Sequence, residues 1–151
     1  MRKTFITRNA KETQALAVML AKELRGGEVI ALEGELGAGK TTLVQGLAKG
    51  LGIKEKVLSP TFVIMKFFDV PAPRQARGVT RVRTLVHVDC YRIKSPKELL
   101  ALGWRELLKE KSNTIVIEWA DRVRLILPRH YLSLRFRFAN HDQREILFKN
   151  F

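Results

Sequence analysis

One cysteine, Cys90, is present in 151 residues, so the chain cannot form an internal disulfide and suits a reducing compartment. No stretch approaches the roughly 18 consecutive apolar residues of a membrane-spanning helix. Residues 1–10 are polar and basic and lack the apolar segment of a signal peptide, which points to the cytoplasm. Repeats and low-complexity tracts are absent. Acid is scarce: 15 Asp and Glu stand against 28 Lys and Arg, for a net charge of +13. That balance suggests a polyanionic partner, nucleic acid being the usual one, with a generally solvated basic surface as the plainer alternative. What remains is ordinary for a globular protein, 46% hydrophobic and 28% charged. The length suits one domain, residues 1–151, burying roughly 68–70% of the unfolded chain's surface.

The most informative stretch is Gly34-Glu35-Leu36-Gly37-Ala38-Gly39-Lys40-Thr41-Thr42. The apolar run Val29–Leu32 precedes it, and Leu43, Val44, Leu47, Ala48 and Leu51 follow at helical spacing. Strand, glycine loop and helix thus come in the order of a phosphate-binding loop, with G-x-x-x-x-G-K-[ST] on the turn. Glycines let the backbone curl so that its N–H groups converge on phosphate oxygens. The helix directs its positive end at the same anion. Lys40 would reach the β- and γ-phosphates, and the Thr41 hydroxyl would ligate Mg²⁺. The pattern implies binding of a nucleoside triphosphate.

Lys3–Thr7 reads as an edge strand, and Asn9 with Glu12 as a capping box. It opens a helix whose buried face carries Thr13, Leu16, Ala17, Leu20 and Leu24, with Gly26-Gly27 as its stop. Pro60 pushes Ser59 out of helical geometry, so Ser59-Pro60-Thr61 is an extended loop leading into a strand over Phe62–Met65. That hydroxyl pair either senses a γ-phosphate, as switch loops do, or merely starts the strand. Thr84–Asp89 and Thr114–Trp119 are buried strands, each carrying an acid at its far end, Asp89 and Glu118. A carboxylate after an apolar strand is costly to bury unpaired. Two such strands suggest acids gathered about one cation at the sheet's carboxyl edge.

His87 has no second His or Cys at metal spacing and reads as a strand residue with its hydrogen bonds satisfied. Cys90 reads as a packed small hydrophobe, and Trp119 either stacks on a base or fills the core. Ser95-Pro96-Lys97-Glu98 starts a helix, Gly103-Trp104 interrupts it, and a short helix follows over Arg105–Lys109. In the tail, Leu132, Leu134, Phe136 and Phe138 face one way and Ser133, Arg135 and Arg137 the other. Arg144–Lys149 then returns as the second strand of a hairpin, with His130 and His141 solvated beside it. Arginine is concentrated twice, at positions 74, 77, 81 and 83 within 69–83, and at 122, 124, 129, 135 and 137. Such concentration favours phosphate contact, so transfer of the basic charge to RNA recognition is one reading of both.

Taken together, the loop 34–42, Ser59-Pro60-Thr61-Phe62, His87-Val88-Asp89-Cys90-Tyr91-Arg92, Pro96-Lys97-Glu98-Leu99 with Gly103, and Ile117-Glu118-Trp119 resemble the TsaE (YjeE) family. That family is the P-loop ATPase of bacterial tRNA threonylcarbamoyladenosine biosynthesis, and the resemblance spans about residues 8–148. It implies an α/β fold, a P-loop NTPase-like three-layer sandwich with a mostly parallel sheet and a C-terminal antiparallel hairpin. It also implies ATP hydrolysis in support of the modification of the adenosine next to the anticodon, with the TsaB and TsaD proteins as partners. Gly34 and Gly37, Ala38, Gly39, Lys40, Thr41 and Thr42 would hold the phosphates. Thr41 and Glu118 would serve Mg²⁺, and Asp89 matches the family acid near nucleotide and metal. Thr61 would sit in a switch-like loop, Trp119 beside the site, and Arg144 on the hairpin near the nucleotide. Two departures stand out: the segment 69–83 is longer and more basic than the usual turn, which could serve tRNA contact through Arg74, Arg77, Arg81 and Arg83, and Cys90 replaces the commoner leucine.

Lys40, Asp89 and Glu118 are therefore the expected catalytic set, with either acid orienting the attacking water. Two other classes remain: a small-molecule kinase with residues 69–83 as an arginine-rich lid, and a nucleotide-gated RNA-binding module. An acceptor requirement marks the first, and absence of turnover the second.

Overall fold

The computed structural model describes residues 2–60, 63–71 and 81–150. Thr61, Arg74 and Arg77 lie outside the described residues. Seven strands form one sheet in the order β1-β7-β6-β2-β5-β4-β3. They are β1 (Arg2–Thr7), β2 (Val29–Glu33), β3 (Met65–Asp69), β4 (Thr84–Asp89), β5 (Asn113–Glu118), β6 (Leu132–Phe138) and β7 (Arg144–Asn150). The four central strands β6, β2, β5 and β4 run parallel. Antiparallel strands close both sides, β3 against β4 and β7 with β1 beyond β6. The result is an α/β sandwich of three layers. β2 and β5 are buried at every position, as strands covered on both faces must be, which is why their sequences read as continuous apolar runs.

On one face, α1 (Ala10–Ala21) and α2 (Lys40–Gly50) pack on Ile30, Leu32, Leu85, Val116, Leu134 and Phe136. On the other, α3 (Pro96–Leu100), α4 (Trp104–Lys109) and a kinked 3-10 segment (Ala120–Ile126) cover Val29, Ala31, Val86, Val88, Ile115 and Ile117. The starts of α1 and α3 follow from their caps. Asn9 accepts from the Glu12 N–H, and Ser95 with Glu98 forms a full capping box ahead of Pro96.

Three expectations need correction. First, α1 ends at Ala21 rather than at Gly26-Gly27. Those glycines, at φ +102° and +89°, instead form the turn into β2, where the Glu28 carboxylate takes the N–H groups of Arg25 and Gly26. Second, the strand expected over Phe62–Met65 begins only at Met65 and continues to Asp69; Phe62 itself is outside the described residues. Ile64 still bonds the Asp89 N–H through its carbonyl, so the apolar run approaches the sheet before it joins it. The alternation expected in β6 holds, with Leu132, Leu134 and Phe136 in one apolar layer; Ser133 is buried opposite Ala31, and Phe138 at the hairpin end is exposed beneath the Arg144 guanidinium. Third, His87 is fully buried, yet neither ring nitrogen has a hydrogen-bond partner. It shares a strand face with Leu85 beneath α2, and the nearest acceptor, the Glu118 carboxylate, stands 3.9 Å from Nε2, beyond hydrogen-bond reach.

Helices α1 and α2 approach closely because glycine removes side chains from the crossing. A Cβ on Gly46 would lie 2.6 Å from both Ala17 Cβ and the Gln14 carbonyl oxygen. Alanine would gain about 1 kcal/mol of helix propensity there. Displacing a backbone carbonyl in a packed crossing costs about 1–3 kcal/mol, so the clash prevails. Gly46→Ala is expected to lower the urea midpoint at unchanged m; a raised midpoint would show that the crossing can relax.

Candidate nucleotide site

The site grows from the end of β2. Gly34 takes φ +146°, and a Cβ there would sit 2.8 Å from the Phe136 carbonyl oxygen of β6, so the strand can leave the sheet only with glycine. Gly39, at φ +104°, turns the chain into α2, and Lys40 is the first helical residue. A Cβ on Gly37 would meet nothing within 4 Å, so the middle of the loop faces open space. Lys40 is 5% exposed, and its ammonium donates to the carbonyls of Gly34 at 2.6 Å and Glu35 at 2.7 Å. The same ammonium lies 4.2 Å from the centre of the Trp119 ring. Burial lowers the Lys40 pKa, opposed by the charges of Glu118, Asp89 and Asp121.

Beside the loop, the parallel register of β4 and β5 sets Asp89 directly opposite Glu118. The Thr41 hydroxyl donates to Glu118 Oε1 at 2.6 Å, tying the first turn of α2 to the end of β5. Asp89 is held from its other side: Ser59 Oγ donates to Oδ2 at 2.7 Å and the Tyr91 N–H to Oδ1 at 2.9 Å. The two carboxyls are shifted in opposite senses. Burial raises Asp89, helped by the Glu118 charge and opposed by the Ser59 and Tyr91 hydrogen bonds. Burial also works to raise Glu118, but the His87 imidazole, 3.9 Å away at Nε2, and the Thr41 hydroxyl outweigh it and hold Glu118 low. Glu118 is the acid kept ionised, and Asp89 the one that takes a proton more readily.

Two clefts flank the loop. One, of about 720 Å³, opens beside Gly34, Glu35 and Leu36 and is walled by Trp119, Arg135 and Phe136. The other, of about 440 Å³, joins Gly37, Gly39 and Thr42 to Asn9 and the hairpin residues His141 and Arg144. Gly34, Gly37, Ala38, Gly39, Lys40, Thr41, Thr42, Asp89, Glu118, Trp119 and Arg144 thus converge on the carboxyl edge of the parallel strands, the edge at which open α/β sheets bind ligands. Trp119 lies between the two uses expected of it. It is half-buried, packs on the second apolar layer, and turns its ring to Lys40 from a left-handed backbone, φ +58°.

Three participants take roles that the sequence does not assign them. Glu33, the last residue of β2, is buried between Arg124, at 3.0 Å, and Arg135, at 2.9 Å. Its signal was present, since β2 ends in an acid after an apolar run just as β4 and β5 do. Ser59 orients Asp89, a role that depends on a contact 30 residues distant. Arg122 donates to the Tyr91 carbonyl and stacks on the rings of Tyr91 and Trp119. Arg81 and Arg83, by contrast, lie just ahead of β4, at the opposite edge of the sheet.

The donor set suits magnesium, a hard cation that prefers oxygen: a hydroxyl and an ionised carboxylate in contact, with a second carboxyl on the next strand. Among the described residues no three Asp, Glu, His or Cys side chains form a metal cluster of their own, so such a cation would complete its shell with phosphate oxygens and water. A triphosphate fits the open face of the loop at Gly37 and the helix N-terminus behind it. No helix of the described residues is long and apolar enough to cross a membrane.

Cys90 adjoins Asp89 but faces the core, and burial, with Asp89 and Asp121, pushes its thiol up to about 12. At pH 8 a thiol reagent should therefore label the folded protein only as fast as it opens, with full labelling in urea. Rapid stoichiometric labelling without denaturant would contradict this placement.

The model of the family described as "Threonylcarbamoyl adenosine biosynthesis protein TsaE" matches residues 7–146. The chain is 37% identical over 142 residues to the tRNA threonylcarbamoyladenosine biosynthesis protein TsaE of Bacillus subtilis, covering 94% of this chain and 82% of that protein. It is 33% identical over 141 residues to the protein of the same name from Treponema pallidum, covering 93% and 96%. The crystal structure of Bacillus subtilis YdiB superposes with a TM-score of 0.72 at 33% identity, over 98% of this chain and 84% of that one. Family model, relatives and fold agree over nearly the whole length, and the chain belongs to the TsaE family of tRNA threonylcarbamoyladenosine biosynthesis.

Proposed function

We propose that the chain is a single-domain, cytoplasmic, Mg²⁺-dependent ATPase that works with the TsaB and TsaD proteins to form the threonylcarbamoyl group on the adenosine next to the tRNA anticodon. The observation that carries the ATPase reading is the Thr41–Glu118 contact at 2.6 Å, which joins the helix behind a glycine loop to the strand beside it. In this reading the triphosphate follows the loop from Thr42 to Gly34, its base directed to the cleft beside Arg144 and its γ-phosphate toward Trp119 and Asp89. Lys40 trades the Gly34 and Glu35 carbonyls for β- and γ-phosphate oxygens. Magnesium, held by Thr41 and Glu118 with Asp89 next to it, would supply charge neutralisation at the phosphates.

Hydrolysis forms a bond from a water oxygen to the γ-phosphorus and breaks the bond to the bridging oxygen, which leaves on ADP. The chain's part is to hold the phosphates in line and to orient the water. Glu118, kept ionised and bonded to Thr41, suits the metal. Asp89, fixed by Ser59 and the Tyr91 N–H and raised in pKa, suits water positioning and proton acceptance. Arg124 and Arg135, beside the loop, are committed to Glu33, and in this reading a catalytic arginine comes from a partner. Turnover alone should then be slow, on the order of 10⁻⁴ to 10⁻² s⁻¹.

Phosphate release by the purified protein tests this, alone and with TsaB and TsaD. Slow turnover that rises with the partners and is lost in Lys40→Ala or with EDTA is expected. Turnover above a few per second without partners would sink the mechanism, and acceleration by a small acceptor instead of the partners would make the chain a kinase. Nucleotide-dependent RNA binding without any turnover would make it a gated RNA-binding module. Glu118→Gln should weaken Mg·ATP binding, whereas Asp89→Asn should leave binding within about threefold and lower turnover at least ~100-fold; the reverse pattern would exchange the two roles.

A further inference from the structure

The two arginine-rich regions differ in what their side chains already hold. At the carboxyl edge, Arg124 and Arg135 are spent on Glu33, and Arg122 on the Tyr91 carbonyl and the Tyr91 and Trp119 rings. At the amino edge the opposite holds. Three segments meet there through their backbones: the Arg81 N–H donates to the Arg25 carbonyl at 3.3 Å, and the Arg83 N–H to the Ser112 carbonyl at 2.8 Å. Gly26 and Gly27 press against Lys111, whose carbonyl oxygen a Cβ on Gly26 would approach to 2.5 Å. Arg25, Arg81, Arg83 and Lys111 are therefore neighbours, all four exposed, and none has a salt bridge among the described residues.

Acids stand at this edge as well: Asp69, paired with Thr84 at the end of β3, is exposed, while Glu28 and Glu110 are engaged locally. Glu28 accepts from the N–H groups of Arg25 and Gly26 and from the Thr114 hydroxyl. Glu110 accepts from the N–H and hydroxyl of Ser112. Four exposed cations, with Glu28 and Glu110 engaged elsewhere, leave a surface with unused guanidinium donors, the groups that pair with phosphate oxygens in bidentate fashion. Magnitude favours RNA over a single small anion: separate surface charges are individually weak in water, and many phosphates engaged at once give affinity through counterion release.

We propose that Arg25, Arg81, Arg83 and Lys111 form a contact surface for the RNA sugar–phosphate backbone at the amino edge of the sheet. This rests on the family's role in RNA modification and not on ATP hydrolysis by this chain. The surface lies a full strand, about 20 Å along the six residues of β4, from Asp89 and the candidate nucleotide site. RNA and nucleotide thus occupy opposite edges of one molecule without competing for space.

The test is fluorescence anisotropy of a labelled tRNA transcript against salt, with the full chain and two charge-matched double reversals. Arg81→Glu with Arg83→Glu alters the proposed surface. Lys11→Glu with Lys49→Glu alters exposed positions on α1 and α2 by the same charge. Expected is binding by the unaltered chain that saturating ATP leaves unchanged, and a roughly tenfold or larger loss for the first pair with a salt slope shallower by about 1.5. The second pair should lose less than roughly threefold. Phosphate release and melting temperature of both variants should match the parent, so a failed ATPase reading would show in the parent alone and leave the RNA result standing. No tRNA binding by the parent, equal losses in both pairs, or a first pair that binds tRNA normally but no longer responds to TsaB and TsaD would each overturn the proposal, the last by making this a protein contact.

Discussion

The structure depends on how a charged carboxylate can be kept at 2% exposure. Glu118 ends a strand buried along its whole length. An unpaired carboxylate there would cost several kcal/mol, more than a third of the stability of many domains. The Thr41 hydroxyl and the His87 imidazole answer that cost from two different elements. A hydrogen bond to a charged group contributes about 1.5–3 kcal/mol, and here it also fixes geometry. Thr41 can reach Glu118 only if α2 begins where Gly39 starts it, which requires the loop to leave β2 at Gly34. One electrostatic requirement therefore fixes the strand end, the loop and the helix start relative to one another.

Sheet polarity then separates the surfaces. Because β6, β2, β5 and β4 are parallel, every loop after a central strand emerges at one edge and every loop before one at the other. Loops that follow strands carry the acids, the glycines and Lys40; those that precede them carry Arg25, Arg81, Arg83 and Lys111. A net charge of +13 is thus not spread evenly in its effect. At the carboxyl edge Arg122, Arg124 and Arg135 are held by aromatic rings and Glu33, around Glu118, Asp89 and Lys40. At the amino edge Glu28 and Glu110 accept from backbone N–H groups, and the cations face water.

Much of this was legible in the sequence because it is local. The glycine loop, the acids that end β4 and β5, and the capping box at Ser95 each depend on residues within a few positions, and each has one physical solution. The hairpin followed from a pattern of the same kind, whereas the parallel centre came with the family resemblance. What could not be read depends on distant partners. Glu33 ended an apolar run as plainly as Asp89 did, but only the fold brings Arg124 and Arg135 to it. His87 looked like a satisfied strand residue because sequence does not show that the Glu118 carboxylate stops 3.9 Å short of its ring. The arginines of 122–137 suggested phosphate contact by density alone, and density does not distinguish a guanidinium that is spent from one that is free. Gly26-Gly27 looked like a helix stop, and the turn they make is dictated by Glu28 two residues on.

Trp119 shows why the site holds strain where it does. Its left-handed backbone, φ +58°, is the one positive φ outside glycine among the described residues, and such a conformation costs about 1–2 kcal/mol. Directly before it stands Glu118, which must point at Thr41; directly after it Ala120 is fully buried against the second face of the sheet. The chain has one residue in which to pass from the sheet's edge to that layer. A relaxed backbone would carry Ala120 and Val123 out of the core, and burying two apolar side chains outweighs the strain. In the strained turn the indole is swung over the Lys40 ammonium, where a cation–π contact returns about 0.5–2 kcal/mol. The conformation is thus set by the packing behind it, and its consequence appears in front: an aromatic ring on the cation that closes the glycine loop.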